Sequence, residues 1–235
     1  MIPILPRGGV EAVERALAIM DTLGAAGRPL QLRDLAARTA LPKATIMRVA
    51  SSLERFGYLQ KGAGGAYWLG PALWRLGSAF RQQLDLEPHV RPALQALVDA
   101  TQESASFWVR QGPERICLYR VNAPRTARSH VDEGELSPLD RSSAGHVIAH
   151  HAGLPTTFGP TLERDGVVVT LGERDPDVAS ISAPVFGPGG QCLGALTLAG
   201  ILNRFQPEVP RYIPLVRAAA EALSERLGGA EAEVA

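Results

Sequence analysis

The strongest constraint on the fold is a cadence inside the first seventy residues. Three short stretches with helical apolar spacing are punctuated by Gly and Pro, and two strand-like stretches then flank Gly62-Ala63-Gly64-Gly65. Val13, Ala16, Leu17, Met20 and Leu23 repeat at i, i+3, i+4 and i+7, which predicts an amphipathic helix over residues 10–25. Gly27 and Pro29 end it. Leu32, Leu35 and Ala36 begin a second, shorter helix. Pro42 opens a third, because Pro at the first helical position loses no hydrogen bond and pre-sets φ. That helix buries Ile46, Val49, Ala50 and Leu53, and Gly57 supplies a position beyond its end that tolerates positive φ.

The apolar stripe of the third helix leaves Ala44, Met47, Arg48, Ser51 and Arg55 on the opposite face, with Lys43 and Thr45 flanking it near the N-terminus. This face carries small residues and two arginines and no acid. Small side chains permit close approach to a major groove, and Arg reaches phosphates or a guanine edge. The positive end of the helix adds attraction for phosphate. Tyr58-Leu59-Gln60-Lys61 and Ala66-Tyr67-Trp68-Leu69 around the glycine-rich turn read as a hairpin, a wing whose Lys61 tracks phosphate. Three short helices and a hairpin make a winged helix-turn-helix over residues 9–70. A small α+β module that docks protein is the other reading of the same pattern.

Charge supports the first reading. The chain is neutral overall, with 24 Lys+Arg and 24 Asp+Glu. Residues 1–70 hold nine basic and five acidic side chains, so the rest carries the matching acidic excess. Both lysines, Lys43 and Lys61, fall in the basic part, as expected for a polyanion-binding module joined to a separate partner domain. Cys117 and Cys192 lie far apart, with no cysteine at metal-ligand spacing. A reduced, cytoplasmic protein follows, and no apolar run reaches membrane-spanning length. Residues 1–9 lack the apolar core of a signal peptide.

Leu73, Leu76, Phe80 and Leu84 form a seam on a linker helix after Pro71, and Pro88 is expected to end it, giving a linker and dimerisation segment over residues 71–88. The remainder, residues 89–228, reads as α+β. Val90, Leu94, Leu97 and Val98 mark a helix. Alternating stretches at 105–111 and 116–121 flank Gly112-Pro113, and further strands are expected at 167–171, 180–186 and 192–199. Tyr212, Leu215, Val216, Ala219 and Leu223 mark a closing helix to about residue 227, with a frayed tail over 228–235.

Several motifs are specific. Val13-Glu14-Arg15-Ala16-Leu17, Leu35-Ala36-Ala37-Arg38-Thr39, Leu41-Pro42-Lys43-Ala44-Thr45, Leu53-Glu54-Arg55-Phe56-Gly57-Tyr58 and Tyr67-Trp68-Leu69-Gly70-Pro71 resemble, in order, the IclR family of transcription regulators. So do Leu136-Ser137-Pro138-Leu139, Ser142-Ser143-Ala144-Gly145-His146, Ser182-Ala183-Pro184-Val185-Phe186 and Leu193–Gly200 of the C-terminal half. The resemblance implies a one-component regulator with a GAF-like effector-binding domain built on an antiparallel sheet. It also implies a dimerising linker helix and a palindromic double-stranded DNA operator. The expected partners are that DNA, a small organic-acid-like or aromatic effector and further copies of the chain, as a homodimer or homotetramer controlling catabolic genes. No cofactor and no metal are expected.

The family's pocket positions map to Ser143, Ala144, Gly145, Thr170, Val178, Ser180, Thr197 and Ala199. Departures are informative. Ala40 stands where many members have Gly in the inter-helix turn, and Ala at positive φ costs about 1 kcal/mol. Gln31 stands where Ser or Thr often caps the second helix, so that cap is expected to be weak. The stretch over residues 152–166 is shortened relative to the family, which leaves the pocket's outer wall incomplete or built by a second copy. Thr170 replaces an acid, Ser180 a cysteine and Ala199 a serine of the family's organic-acid sensors. With fewer polar anchors, backbone N–H groups near Ala144 and Gly145 are expected to hold a more apolar or aromatic acid.

Enzyme readings are weaker. Ser142 or Ser143 beside His146 lacks an orienting acid in view and a nucleophile elbow. His146, His150 and His151 lack a third metal-ligand motif and are expected to be exposed helix histidines. The chain is therefore expected not to be an enzyme. The alternative is a GAF-like ligand-binding or hydrolytic protein whose N-terminal module docks protein.

Overall fold

In the computed structural model, which describes residues 9–62, 64–84 and 86–229, the chain divides between Leu84 and Asp85 into two units. In the first, α1 (Glu11–Ala26), α2 (Leu32–Thr39) and α3 (Lys43–Arg55) enclose Ile19, Leu23, Leu35, Ile46, Ala50 and Leu53. Val49 is only half-buried, and Pro42 sits one residue ahead of α3 as its N-cap. Ala40, at the inter-helix turn, adopts φ 56°. Its Cβ makes that left-handed conformation cost about 1 kcal/mol more than glycine would.

The wing comprises β1 (Leu59–Lys61) and β2 (Tyr67–Leu69), antiparallel with Leu59 opposite Leu69. Leu30 adds a short third rung through two backbone hydrogen bonds to Tyr67, at 2.9 and 2.8 Å. Ala63 of the predicted turn lies outside the described residues. Gly70 passes so close to the end of α3 that an added Cβ would sit 2.2 Å from the Gly57 carbonyl oxygen. The cap of α2 differs from the expectation. The Asp34 carboxylate accepts from the Gln31 backbone N–H at 3.2 Å, while the Gln31 side-chain amide donates to the Gly64 carbonyl at 3.2 Å. Gln31 thus ties the helix start to the wing turn.

The linker helix α4 (Pro71–Leu84) exposes Trp74 (77%), Leu76 and Phe80 (51%), with Leu73 half-buried. The Leu84 side chain lies outside the described residues. Pro88 does not end this helix. It stands in the first turn of the next one, α5 (Glu87–Thr101), where a missing N–H costs nothing. The tail beyond residue 229 is likewise outside the described residues.

In the second unit α5 buries Val90, Leu94, Leu97 and Val98 as the sequence predicts. The chain continues through β3 (Ser104–Gln111), β4 (Glu114–Val121), β5 (Leu136–Pro138), α6 (Ser143–His151), α7 (Gly159–Asp165), β6 (Val168–Leu171), β7 (Val178–Phe186), β8 (Cys192–Ile201), α8 (Leu202–Phe205) and α9 (Val209–Arg226). The strands form one antiparallel sheet in the order β5-β4-β3-β8-β7-β6. Strands β7 and β8 are buried along most of their length, which requires cover on both faces. Helix α6 supplies cover through Val147 and Ile148, packed with Trp108, Cys117 and Ala195, and the short α7 adds Leu162 to the same cluster. Helices α5 and α9 also pack on the sheet and meet where Tyr212 donates to the Thr101 carbonyl. Between β3 and β4 the register shifts: Phe107 faces Tyr119 and Trp108 faces Cys117, so Leu118 is an extra, bulged residue. Among the described residues no helix is long and apolar enough to cross a membrane.

Candidate DNA interface and effector pocket

Helix α3 turns Ile46, Ala50 and Leu53 into the core and presents Lys43, Ala44, Met47, Arg48, Ser51 and Arg55 to solvent, with Thr45 half-buried. Met47 is 52% exposed, and α3 has no acid in its first turn. The Arg55 guanidinium lies 5.2 Å from the Phe56 ring centroid. On the wing, the Lys61 ammonium lies 5.1 Å from the Tyr67 ring centroid and stays exposed. The wing is stiffened by the Trp68 indole N–H, which donates to Gln60 Oε1 at 2.6 Å. The result is a convex, basic, acid-free helix face beside a short basic hairpin.

The second unit holds a pocket of roughly 440 Å3 of space between protein atoms, its mouth included. Its walls are Ser106 and Trp108 of β3, Arg115 and Arg120 of β4, Ser129 and Val131 of the following loop, and Ser142 and Ala144 at the start of α6. Thr170 of β6, Arg174 of the next loop, Val178 and Ser180 of β7, and Thr197 and Ala199 of β8 complete it. Six of the eight positions singled out from the sequence are in this lining, and Ser143 and Gly145 are not. Ser143 Oγ shares hydrogen bonds with the Ser180 and Ser182 hydroxyls, both at 2.7 Å, and Ser182 continues to Thr197 at 2.7 Å. Ser143 N–H donates to Thr170 Oγ1 at 3.2 Å. Ser143 therefore belongs to a hydroxyl chain behind the wall. Gly145 acts by its lack of a side chain: an added Cβ would lie 2.3 Å from the Leu139 carbonyl oxygen and 3.1 Å from an Arg115 guanidinium nitrogen.

The expectation of few polar anchors is overturned, because three arginines line the pocket. Arg115 is 1% exposed. Its Nη1 donates to the carbonyls of Pro138 (2.7 Å) and Arg141 (3.2 Å), its guanidinium lies 4.5 Å from the Trp108 ring centroid, and its Nε has no hydrogen-bond partner. Burial, then the nearby Arg174, pulls its pKa down to about 10, so it remains charged at neutral pH. Arg120 donates from Nε to Asn122 Oδ1 at 2.8 Å and from Nη2 to the Ser129 carbonyl, and burial lowers its pKa too. Arg174 stands 3.8 Å from Glu135 Oε1.

The start of α6 is held by a second polar group. Ser142, the N-cap, adopts φ 100°, which is rare for a residue with a Cβ. Its N–H donates to Glu173 Oε2 at 3.0 Å. Glu173 also faces His146 Nε2 at 2.9 and 3.1 Å, and His146 Nδ1 meets Thr156 Oγ1 at 3.0 Å. His146 is 6% exposed and packs 4.5 Å from the Phe158 ring, so the expectation of an exposed histidine is wrong here. An acid does orient His146, yet the Ser143 hydroxyl is engaged by Ser180 and Ser182 instead of the imidazole. No serine nucleophile is thereby activated. His150 faces Glu163 at 3.7 Å and His151 packs edge-on to Phe186. Among the described residues no group of three His, Cys, Asp or Glu could hold a metal ion. Cys117 and Cys192 are free thiols, pushed by burial up to about 12 and about 11.

Residues 12–63 match the IclR helix-turn-helix domain and residues 160–225 the bacterial transcriptional regulator IclR C-terminal domain. The chain is 30% identical over 186 residues to the HTH-type transcriptional regulator TtgV of Pseudomonas putida, covering 74% of this chain and 71% of that one. It is 26% identical over 225 residues to the regulator KipR of Bacillus subtilis, covering 85% and 90%. Among solved structures, an IclR regulator from Silicibacter sp. TM1040 superposes with TM-score 0.79 at 24% identity, covering 94% and 98% of the two chains. An IclR homologue from Microbacterium hydrocarbonoxydans, solved with 4-hydroxybenzoate, superposes with TM-score 0.78 at 22% identity, covering 92% and 99%. These proteins are named as regulators and not as enzymes. The chain belongs to the IclR family of DNA-binding transcriptional regulators.

Proposed function

We propose that this chain is a one-component switch in which α3 reads a palindromic operator and the pocket of the second unit takes a small organic acid. Lys43, Ala44, Thr45, Met47, Arg48, Ser51 and Arg55 enter the major groove, and Lys61 of the wing contacts phosphate. The observation that carries this reading is the exposed face of α3 that bears Arg48 and Arg55, opposite the buried Ile46, Ala50 and Leu53. The exposed Trp74, Leu76 and Phe80 of the linker helix supply an apolar surface for a second copy, giving a homodimer or a tetramer with paired recognition helices. A homologue that binds 4-hydroxybenzoate supports an organic acid as effector, and the arginine-lined wall supports an anion. The acid shifts the population of conformers that fit the operator.

Footprinting of the DNA upstream of the protein's own gene tests this. Two protected major-groove patches about one helical turn apart, or a multiple of that, are expected in low salt. Their occupancy should change on adding a bound acid. Uniform, sequence-independent protection would contradict the reading.

A further inference from the structure

Resting on the reading of this pocket as the effector site, we propose that the effector is a small dicarboxylate whose two carboxylates are held apart, one toward Arg115 and one toward Arg120. Four observations carry it. The charged residues of the lining are Arg115, Arg120 and Arg174, with no carboxylate among them. Two neighbouring acids are engaged elsewhere, Glu133 by Arg91 and the Arg120 backbone N–H and Glu173 by His146 and Ser142, while Glu135 stands beside Arg174 at the pocket's edge. Arg115 and Arg120 are given only neutral acceptors, the carbonyls of Pro138, Arg141 and Ser129 and the amide of Asn122.

The fourth observation is spacing. Arg115 and Arg120 sit five residues apart on β4, with the Leu118 bulge between them. Their guanidinium groups are anchored at different ends, one beside β5 and the start of α6, the other on the loop after β4. A phosphate concentrates its charge at one point, whereas a dicarboxylate carries two charges to share between the two ends. The unpartnered, buried Nε of Arg115 is a donor left over for one carboxylate. Arg174, which raises the electrostatic cost of both buried arginines, gains from either.

Calorimetric titration of the full chain tests this with matched probes: butyrate, succinate, glutarate, succinamide and inorganic phosphate, then benzoate against isophthalate and terephthalate. The best dicarboxylate should bind at least tenfold tighter than its monocarboxylate counterpart and than phosphate, and the diamide should not bind. Arg120→Gln should bring the dicarboxylate down to the monocarboxylate level while monocarboxylate binding persists. Arg174→Gln, at a more exposed position, gives the same direction of change should Arg120→Gln fail to fold. Equal affinity for mono- and dicarboxylates, with operator release by both, overturns the proposal and leaves the pocket as effector site. Tightest binding of phosphate overturns it as well. Absence of binding by every acid overturns both the proposal and the reading on which it rests.

Discussion

Arg115 and Arg120 lie an odd number of residues apart on one strand, yet both line the same pocket. Strict alternation would send them to opposite faces of the sheet. The bulge at Leu118 adds one residue between them and restores a common face. On β3, Ser106, opposite Arg120, and Trp108, opposite Cys117, keep ordinary alternation and reach the same cavity. The bulge is thus the local device that gathers two cations over one site.

Those cations are held at a cost to stability. Arg115 is charged and buried, hydrogen-bonded to neutral carbonyls and stacked on the Trp108 ring, with Glu135 and Asp140 as the nearby acids. Replacing it by Met keeps the stem packing and removes the desolvated charge, at the expense of two carbonyl hydrogen bonds. The two effects oppose, and removing a desolvated charge is the larger. Arg115→Met should leave the ligand-free chain as stable or more so, by about 1 kcal/mol, while abolishing acid binding. Urea unfolding with and without a bound acid measures both. A loss of about 3 kcal/mol or more would show that the guanidinium is a structural necessity.

Ala40 in the left-handed turn between α2 and α3 carries avoidable strain. Ala40→Gly should stabilise the first unit by about 1 kcal/mol and Ala40→Val should destabilise it, as read by denaturant midpoints. Ala40 is exposed and precedes α3, so operator affinity at saturating folded protein should be unchanged.

The Glu173 carboxylate holds both the Ser142 N–H and the His146 ring, and so keeps the start of α6 in its unusual φ. Glu173→Ala leaves a buried imidazole and a backbone N–H without this acceptor. A destabilisation of about 1–3 kcal/mol is expected, with faster amide exchange at Ser142. Unchanged protection there would remove Glu173 from the positioning of α6.

Both thiols should be inert in the native state. Burial raises Cys117 to about 12 and Cys192 to about 11, far from the thiolate needed for alkylation. Iodoacetamide at pH 8 should modify neither until the chain is unfolded, after which both should react. Rapid native-state labelling of Cys117 would contradict its placement in the core beneath α6.

The helices and wing of the first unit were legible because each signal is local. Apolar spacing sets the buried face of α3 and the extent of α1, and Gly27 and Gly57 mark the ends; in α1 the predicted Val13 and Leu17 are exposed, and Ile19, outside the predicted stripe, is buried with Leu23. The arginine wall was not legible. An arginine on an alternating strand reads as a solvated residue, and nothing near Leu118 announces a bulge. Strand β5 is three residues long and ends in Pro138, too little for a strand signal. His146 was misjudged because its partner Glu173 lies 27 residues away on a loop, a distance that periodicity does not span. Gln31 is expected to make only a weak cap, and its side-chain amide reaches the wing turn. In each case the missing information was a contact between distant segments.

The most direct test of the central claim is the salt dependence of operator binding by the full chain and by Arg48→Ala, measured by fluorescence anisotropy. If the exposed side of α3 enters the duplex, Arg48→Ala should lose about 1–3 kcal/mol of affinity when it meets a guanine edge. If it meets phosphate, the slope of log K against log salt should fall by about one unit. Unfolding should be unchanged in either case. Identical affinity and slope for Arg48→Ala, Arg55→Ala and the parent chain would contradict the account.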